Sequence, residues 1–320
     1  MRNTNIDFLK IALAFLVVAL HIFPVTKLKG IEGLLSYEIA SGITRIAVPT
    51  FFLISGYFLR NKLNDTAYLW KYVKRILLLY VVWQLLYLPD LIRFYHLKRF
   101  SSFDAVLKLI YGYWHLWYLL ATAIAVAFLY GTRNWSILSK GIIAGLLLTA
   151  GYTFQILIQS DLLHRYLNIQ YVYELMGTTR NYLFFAFPML LIGTLYEHWK
   201  GEMAALKKWY LPLWMVLLLE VAFYYLHGVK AMDFLIVLPL LSMLTFYIVK
   251  EAPAVSQKKI SATFSLGIYV VHPYAIRLVY EFLPQKTFGF VCVKYLLVCG
   301  TAIVFWWILD KINNRFSYFF

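Results

Sequence analysis

Residues 7–24 read DFLKIALAFLVVALHIFP. As a helix, this run is long enough to cross most of a bilayer. Asp7 and Lys10 stand one turn apart at its start, and His21 follows an unbroken apolar stretch. A helix would separate Asp7 from His21 by about 21 Å along its axis, which puts the imidazole in the far half of the membrane. A histidine at that depth is costly unless it has a partner or a task. Two readings stand. One is an imidazole at a helix end, bonded to a carbonyl or to water. The other is an imidazole that moves protons near neutral pH.

Working outward, the same apolar texture fills the chain. Of its 320 residues, 62% are hydrophobic, 19% aromatic and only 14% charged, and the mean hydropathy is +0.70. A soluble domain of this size does not need so much apolar surface. The fold class expected is an all-α, polytopic membrane bundle forming a single domain over residues 1–320. About ten spans are expected, near 7–24, 42–59, 72–89, 114–131, 138–157, 181–197, 209–226, 231–249, 263–282 and 289–309. The first run has no small-residue cleavage site behind it, so it is expected to remain as an anchor. Cys292 and Cys299 fall in one helix about 10 Å apart, too far for a disulfide, and read as core residues.

The formal charge of +15 is scattered between apolar runs. That pattern sets orientation and contacts with anionic membrane lipids; it does not point to nucleic acid. With both termini cytoplasmic, the inner segments carry Arg2, Lys62, Lys71, Arg133, Lys200, Lys258, Lys259 and Arg315, among others. The outer loop from Asp90 to Tyr113 is also basic. It reads as an interfacial amphipathic helix anchored by Tyr95, Phe100 and Phe103, or as an electropositive wall facing an acceptor. Gly141 and Gly145 form a GxxxG that permits close helix packing.

Several stretches carry polar chemistry. Span two, TRIAVPTFFLISGYFLR (44–60), has Arg45 at its outer end and Ser55, Gly56 and Tyr57 toward its inner end. Pro49 should kink it and free a carbonyl. Span three opens with LWKYVKRILLLYVVW (69–83), where Lys71, Lys74 and Arg75 form either an ordinary basic flank or a phosphate site. WHLWYLLA (114–121) sets His115 in an aromatic belt, where a solvated imidazole is the plain reading. GTTRNYLFFAFPML (177–190) presents Arg180 and Asn181, which suit a sugar or a carboxylate. SLGIYVVHPYAIR (265–277) holds His272 beside Pro273, whose ring frees a carbonyl that can satisfy the histidine. Glu220 lies inside span seven, and an intramembrane carboxylate is a functional candidate. No helix has metal-ligand spacing, and there is no glycine-rich phosphate loop.

Taken together, NIDFLKIALAFLVVALH, VPTFFLISGYFL, HLWYL and SLGIYVVHPYAIR resemble the acyltransferase-3 family of bacterial integral-membrane proteins. The string at 177–190 looks most like the branch containing the membrane half of the serine racemases of vancomycin resistance. The resemblance implies that His21 is the catalytic residue of an O-acyl transfer. It aligns Lys10 with a family arginine, Arg75 with the second arginine of a pair, and Tyr72 with the first.

The function expected is a membrane O-acyltransferase of the bacterial cytoplasmic membrane. It would move an acetyl group from acetyl-CoA to a hydroxyl of a cell-surface glycan or lipid-linked sugar. No cofactor is expected to be permanently bound. His21 and Glu220 are the catalytic candidates. Lys10, Lys71, Lys74, Arg75, Ser55 and Tyr57 are expected on the donor side. Arg45, His115, Arg180, Asn181 and His272 are expected on the acceptor side. The alternative is a membrane carrier for a small amino acid such as serine.

Overall fold

A computed structural model of the protein describes residues 3–99, 101–159, 178–229, 232–254, 261, 263–280 and 287–316. Arg2, Phe100, Lys258 and Lys259 lie outside the described residues, as does the side chain of Arg315. Every regular element among the described residues is helical. In order they are α1 (Thr4–Ile22), α2 (Gly30–Ser41), α3 (Ala47–Leu59), α4 (Thr66–His96), α5 (Ser102–Tyr111), α6 (Trp117–Gly131) and α7 (Ile137–Gln159). After them come α8 (Phe187–Thr194), α9 (Tyr196–Leu206), α10 (Tyr210–Leu226), α11 (Leu238–Glu251), α12 (Phe264–Tyr280) and α13 (Phe288–Phe316).

Among the described residues, six helical stretches are long and apolar enough to cross a membrane: Thr4–Ile22, Gly30–Leu59, Thr66–His96, Ile137–Gln159, Tyr196–Leu226 and Phe288–Asn313. The remaining expected spans coincide with the shorter helices α6, α8, α11 and α12. The chain is thus a polytopic helical membrane protein. Two details differ from the sequence reading. α2 occupies a segment expected to be a simple connection. Span two is a 3-10 turn (Ile43–Ile46) running into α3, so Pro49 falls in the first turn of α3. Proline is tolerated there, because that N–H has no helical acceptor.

α5 is an amphipathic helix inside the loop from Asp90 to Tyr113 that the sequence reads as interfacial. Ser101 and Asp104 close a capping box at its start. Those hydrogen bonds from Ser101 hold the Asp104 carboxyl below the usual carboxylate range. None of its side chains is buried, and Val106, Leu109 and Ile110 are exposed.

The chain divides into two compact units, one from residues 1–51 and 197–318 and the other from residues 52–196. In the first, α1 packs against α2, α11, α12 and α13. Asn3 caps α1 by accepting from the backbone N–H groups of Asn5 and Ile6. The Asn5 amide donates to the carbonyls of Val249, Ala252 and Pro253, so the open C-terminus of α11 is satisfied by the start of α1. Tyr295 on α13 donates to the Phe15 carbonyl on α1. Cys292 and Cys299 are free thiols and half-buried, less enclosed than core residues would be.

In the second unit, α6 packs against α4 and α8. α3 and α8 meet backbone to backbone. A Cβ placed on Gly56 would lie 2.0 Å from the Leu190 carbonyl oxygen, and one on Gly193 would lie 2.2 Å from that of Leu53. The small Ser55-Gly56 pair therefore serves a helix contact. By contrast, Cβ atoms on Gly141 and Gly145 would meet open space, so the GxxxG of α7 packs nothing among the described residues.

Candidate functional site

In the first unit, α1 and α12 bring two histidines together. The rings of His21 and His272 stack, with centroids 5.2 Å apart and an interplanar angle of 22°. His272 is fully buried. Its Nδ1 lies 2.6 Å from the Tyr269 carbonyl. That carbonyl is four residues before Pro273, which sits inside α12 and has no N–H to offer it. A carbonyl only accepts, so Nδ1 carries the proton. In the neutral ring, Nε2 then holds the lone pair. Sequence order alone had placed His21 and His272 in different roles; the fold makes them one pair.

The other first-unit candidates have defined contacts. Lys10 lies 3.9 Å from the Asp7 carboxylate, one turn away on α1. Arg45 donates to Asp233 at 2.6 Å, with both side chains largely buried. The Glu220 carboxylate accepts the Ile236 N–H at 2.9 Å and the Tyr224 hydroxyl at 3.2 Å. It thereby pins the segment that leads into α11.

In the second unit, the side chains of Tyr72 and Tyr118 both approach Ser55 on α3. The position aligned with a family arginine is therefore a phenol turned toward α3, while Lys71, Lys74 and Arg75 are exposed. Tyr57 lies under Arg60, whose guanidinium carbon is 3.9 Å from the ring centroid. His115 is 3% exposed and sits edge-on to Tyr87, centroids 5.8 Å apart. The solvated imidazole expected from its aromatic flanks is thus a buried one.

Arg180 and Asn181 line a small crevice with Tyr111 and Trp117, about 20 Å³ in volume. Asn181 is also a cap, because its side-chain oxygen accepts from the N–H groups of Leu183 and Phe184. Among the described residues, no three His, Cys, Asp or Glu side chains are grouped as a metal site.

Sequence reading missed three partners. Asp233 is an isolated acid at the edge of an apolar run, a signal that went unused. Tyr118 and Arg60 gave none, since aromatic belts and basic flanks are common in membrane proteins.

Comparison with known proteins agrees with this architecture. The chain matches the acyltransferase domain family over residues 3–311, and it belongs to that family. It is 27% identical over 307 residues to an amino-acid racemase of Enterococcus faecalis, covering 88% of this chain and 42% of that protein. It is 29% identical over 315 residues to a serine/alanine racemase of Enterococcus gallinarum, covering 89% of this chain and 42% of that protein. The chain thus spans less than half the length of these relatives. No solved structure matches it.

Proposed function

We propose that this protein is an O-acyltransferase of the bacterial cytoplasmic membrane. It would carry an acetyl group from acetyl-CoA to a hydroxyl of a cell-surface glycan or lipid-linked sugar. Family membership supports the acyl-transfer class. The observation that carries the site is the stacked pair His21–His272, one ring of which has its proton position fixed.

In this proposal His21 is the general base. The acceptor O–H gives its proton to the imidazole as its oxygen bonds to the thioester carbonyl carbon. The C–S bond then breaks, and the departing sulfur takes the proton back from the imidazolium. His272 holds the acceptor through Nε2. On the donor side, the exposed Lys71 and Arg75 suit coenzyme A phosphates as charge-assisted donors. Ser55, Tyr57 and Lys10 are assigned to the same side. Arg45, His115, Arg180 and Asn181 are assigned to the acceptor or to the developing oxyanion. Glu220 keeps its loop-holding task and takes no proton.

A second reading is a carrier for a small amino acid such as serine, which the relatives' names, amino-acid racemase and serine/alanine racemase, support only weakly. One experiment separates the two. Membranes containing the protein are given radiolabelled acetyl-CoA, and sealed vesicles are given labelled serine. Label in a glycan or lipid-sugar fraction, lost in His21→Gln, is the expected result. Serine uptake with no transferred acetyl group would overturn the proposal.

A further inference from the structure

A groove of about 250 Å³ runs between α4 and α6 in the second unit. α4 lines it with Thr66, Trp70 and Val73, and α6 with Ala123, Ala127 and Tyr130. Leu69 and Val126 complete the two faces, each of which runs over two helical turns, so the groove follows both axes for about 10 Å. The two alanines make the space, since larger side chains there would close it. The lining is almost wholly apolar.

Two aromatic residues of the lining each sit against a basic side chain. The Arg133 guanidinium carbon lies 3.9 Å from the ring centroid of Tyr130. The Lys74 ammonium lies 5.0 Å from the ring centroid of Trp70, reaching back toward the start of α4. Each aromatic wall thus carries a cation. An apolar channel with two cations on its walls fits a hydrocarbon chain bearing an anionic head. A free phosphate would leave the channel empty, and an acidic peptide would find no partners there for its backbone. Positive-inside orientation puts the start of α4 and the end of α6 at the cytoplasmic leaflet, the one with the negative surface potential.

We propose that this groove is a binding site for one anionic phospholipid of the cytoplasmic leaflet. One acyl chain lies along the stripe of Ala123 and Ala127, and the phosphate sits between Arg133 and Lys74. Lys71 and Arg75 are then left to the acyl donor.

The test is native mass spectrometry of the purified protein, titrated with phosphatidylglycerol and with phosphatidylcholine of matched chains. The protein should retain phosphatidylglycerol preferentially. Arg133→Gln should weaken that binding about fivefold, the effect of roughly one basic residue at an anionic surface. Ala127→Phe fills the channel and should remove the retained lipid of either head group. Leu138→Ala, on lipid-exposed surface outside the groove, should change nothing. Because Ala127 is itself exposed, its variant should fold, and a matched melting profile checks this. Equal retention of the two lipids, or retention unchanged in Ala127→Phe, would overturn the proposal. Displacement of phosphatidylglycerol by an equal concentration of octanoyl-CoA, with octanoyl transfer to the acceptor, would do so too by giving the groove to the donor.

Discussion

His272 takes the one carbonyl of α12 that Pro273 leaves without a helical donor, that of Tyr269, at 2.6 Å. The proline and the histidine therefore work as a unit. The first frees an acceptor, and the second fixes its own proton on it. Pro273→Ala restores an N–H to compete for Tyr269. Proline in a helix interior costs about 3 kcal/mol relative to alanine, so the variant should melt higher. Acyl transfer should nevertheless fall, and ¹⁵N spectra of the histidines should show a mixture of tautomers. A variant that is both more stable and fully active would reduce Pro273 to a packing residue.

Gly56 and Gly193 predict a contrast with the GxxxG of α7. A methyl at either of the first two meets a carbonyl oxygen at 2.0 or 2.2 Å, and backbone cannot swing aside. Gly56→Ala and Gly193→Ala should each destabilise the protein by about 1–3 kcal/mol, the usual cost of overpacking. Gly141→Ala and Gly145→Ala face open space and should leave the melting temperature unchanged or raise it slightly. Thermal melts of the four variants in one detergent provide the check.

The spans and the basic segments could be read from the sequence because apolar length and lysine–arginine bias are local properties. His21 and His272 could each be singled out for the same reason, as an imidazole in an apolar run. Their stacking could not, since it depends on how α1 meets α12, two elements some 250 positions apart. The same limit hid Asp233 from Arg45. The misjudged elements had local causes. α2 is a modestly apolar helix behind a Lys-rich turn, so its sequence resembles a loop. His115 has interfacial neighbours, yet Tyr87 from α4 lies against it. The GxxxG of α7 carries the pattern for close packing, but among the described residues no atom approaches Gly141 or Gly145.

Arg45 and Asp233 form a largely buried ion pair, and their contact tests the acceptor role given to Arg45. Asp233→Ala takes the carboxylate away from a buried guanidinium and should cost about 3–5 kcal/mol. The double replacement Arg45→Met with Asp233→Leu removes both charges and should recover most of that stability. If Arg45 holds the acceptor, the double variant will fold and yet show a raised KM for it. Wild-type kinetics in the refolded double variant would make the pair purely structural.

In the proposed mechanism His21 exchanges a proton and His272 holds still, so the two should fail in different ways. A positioned base typically contributes about 10²–10⁴-fold to such a transfer. His21→Gln keeps size and hydrogen bonding but accepts no proton in the physiological range, so kcat should fall by about that factor. His272→Gln can still donate to the Tyr269 carbonyl through its amide. It should therefore keep α12 intact and act mainly on acceptor KM. Both variants should reach the membrane at wild-type levels, since neither substitution opens a large cavity. The order of the effects is the decisive reading. A large kcat loss in His272→Gln with near-normal transfer in His21→Gln, at matched expression, would exchange the two roles and make the Nε2 lone pair of His272 the base.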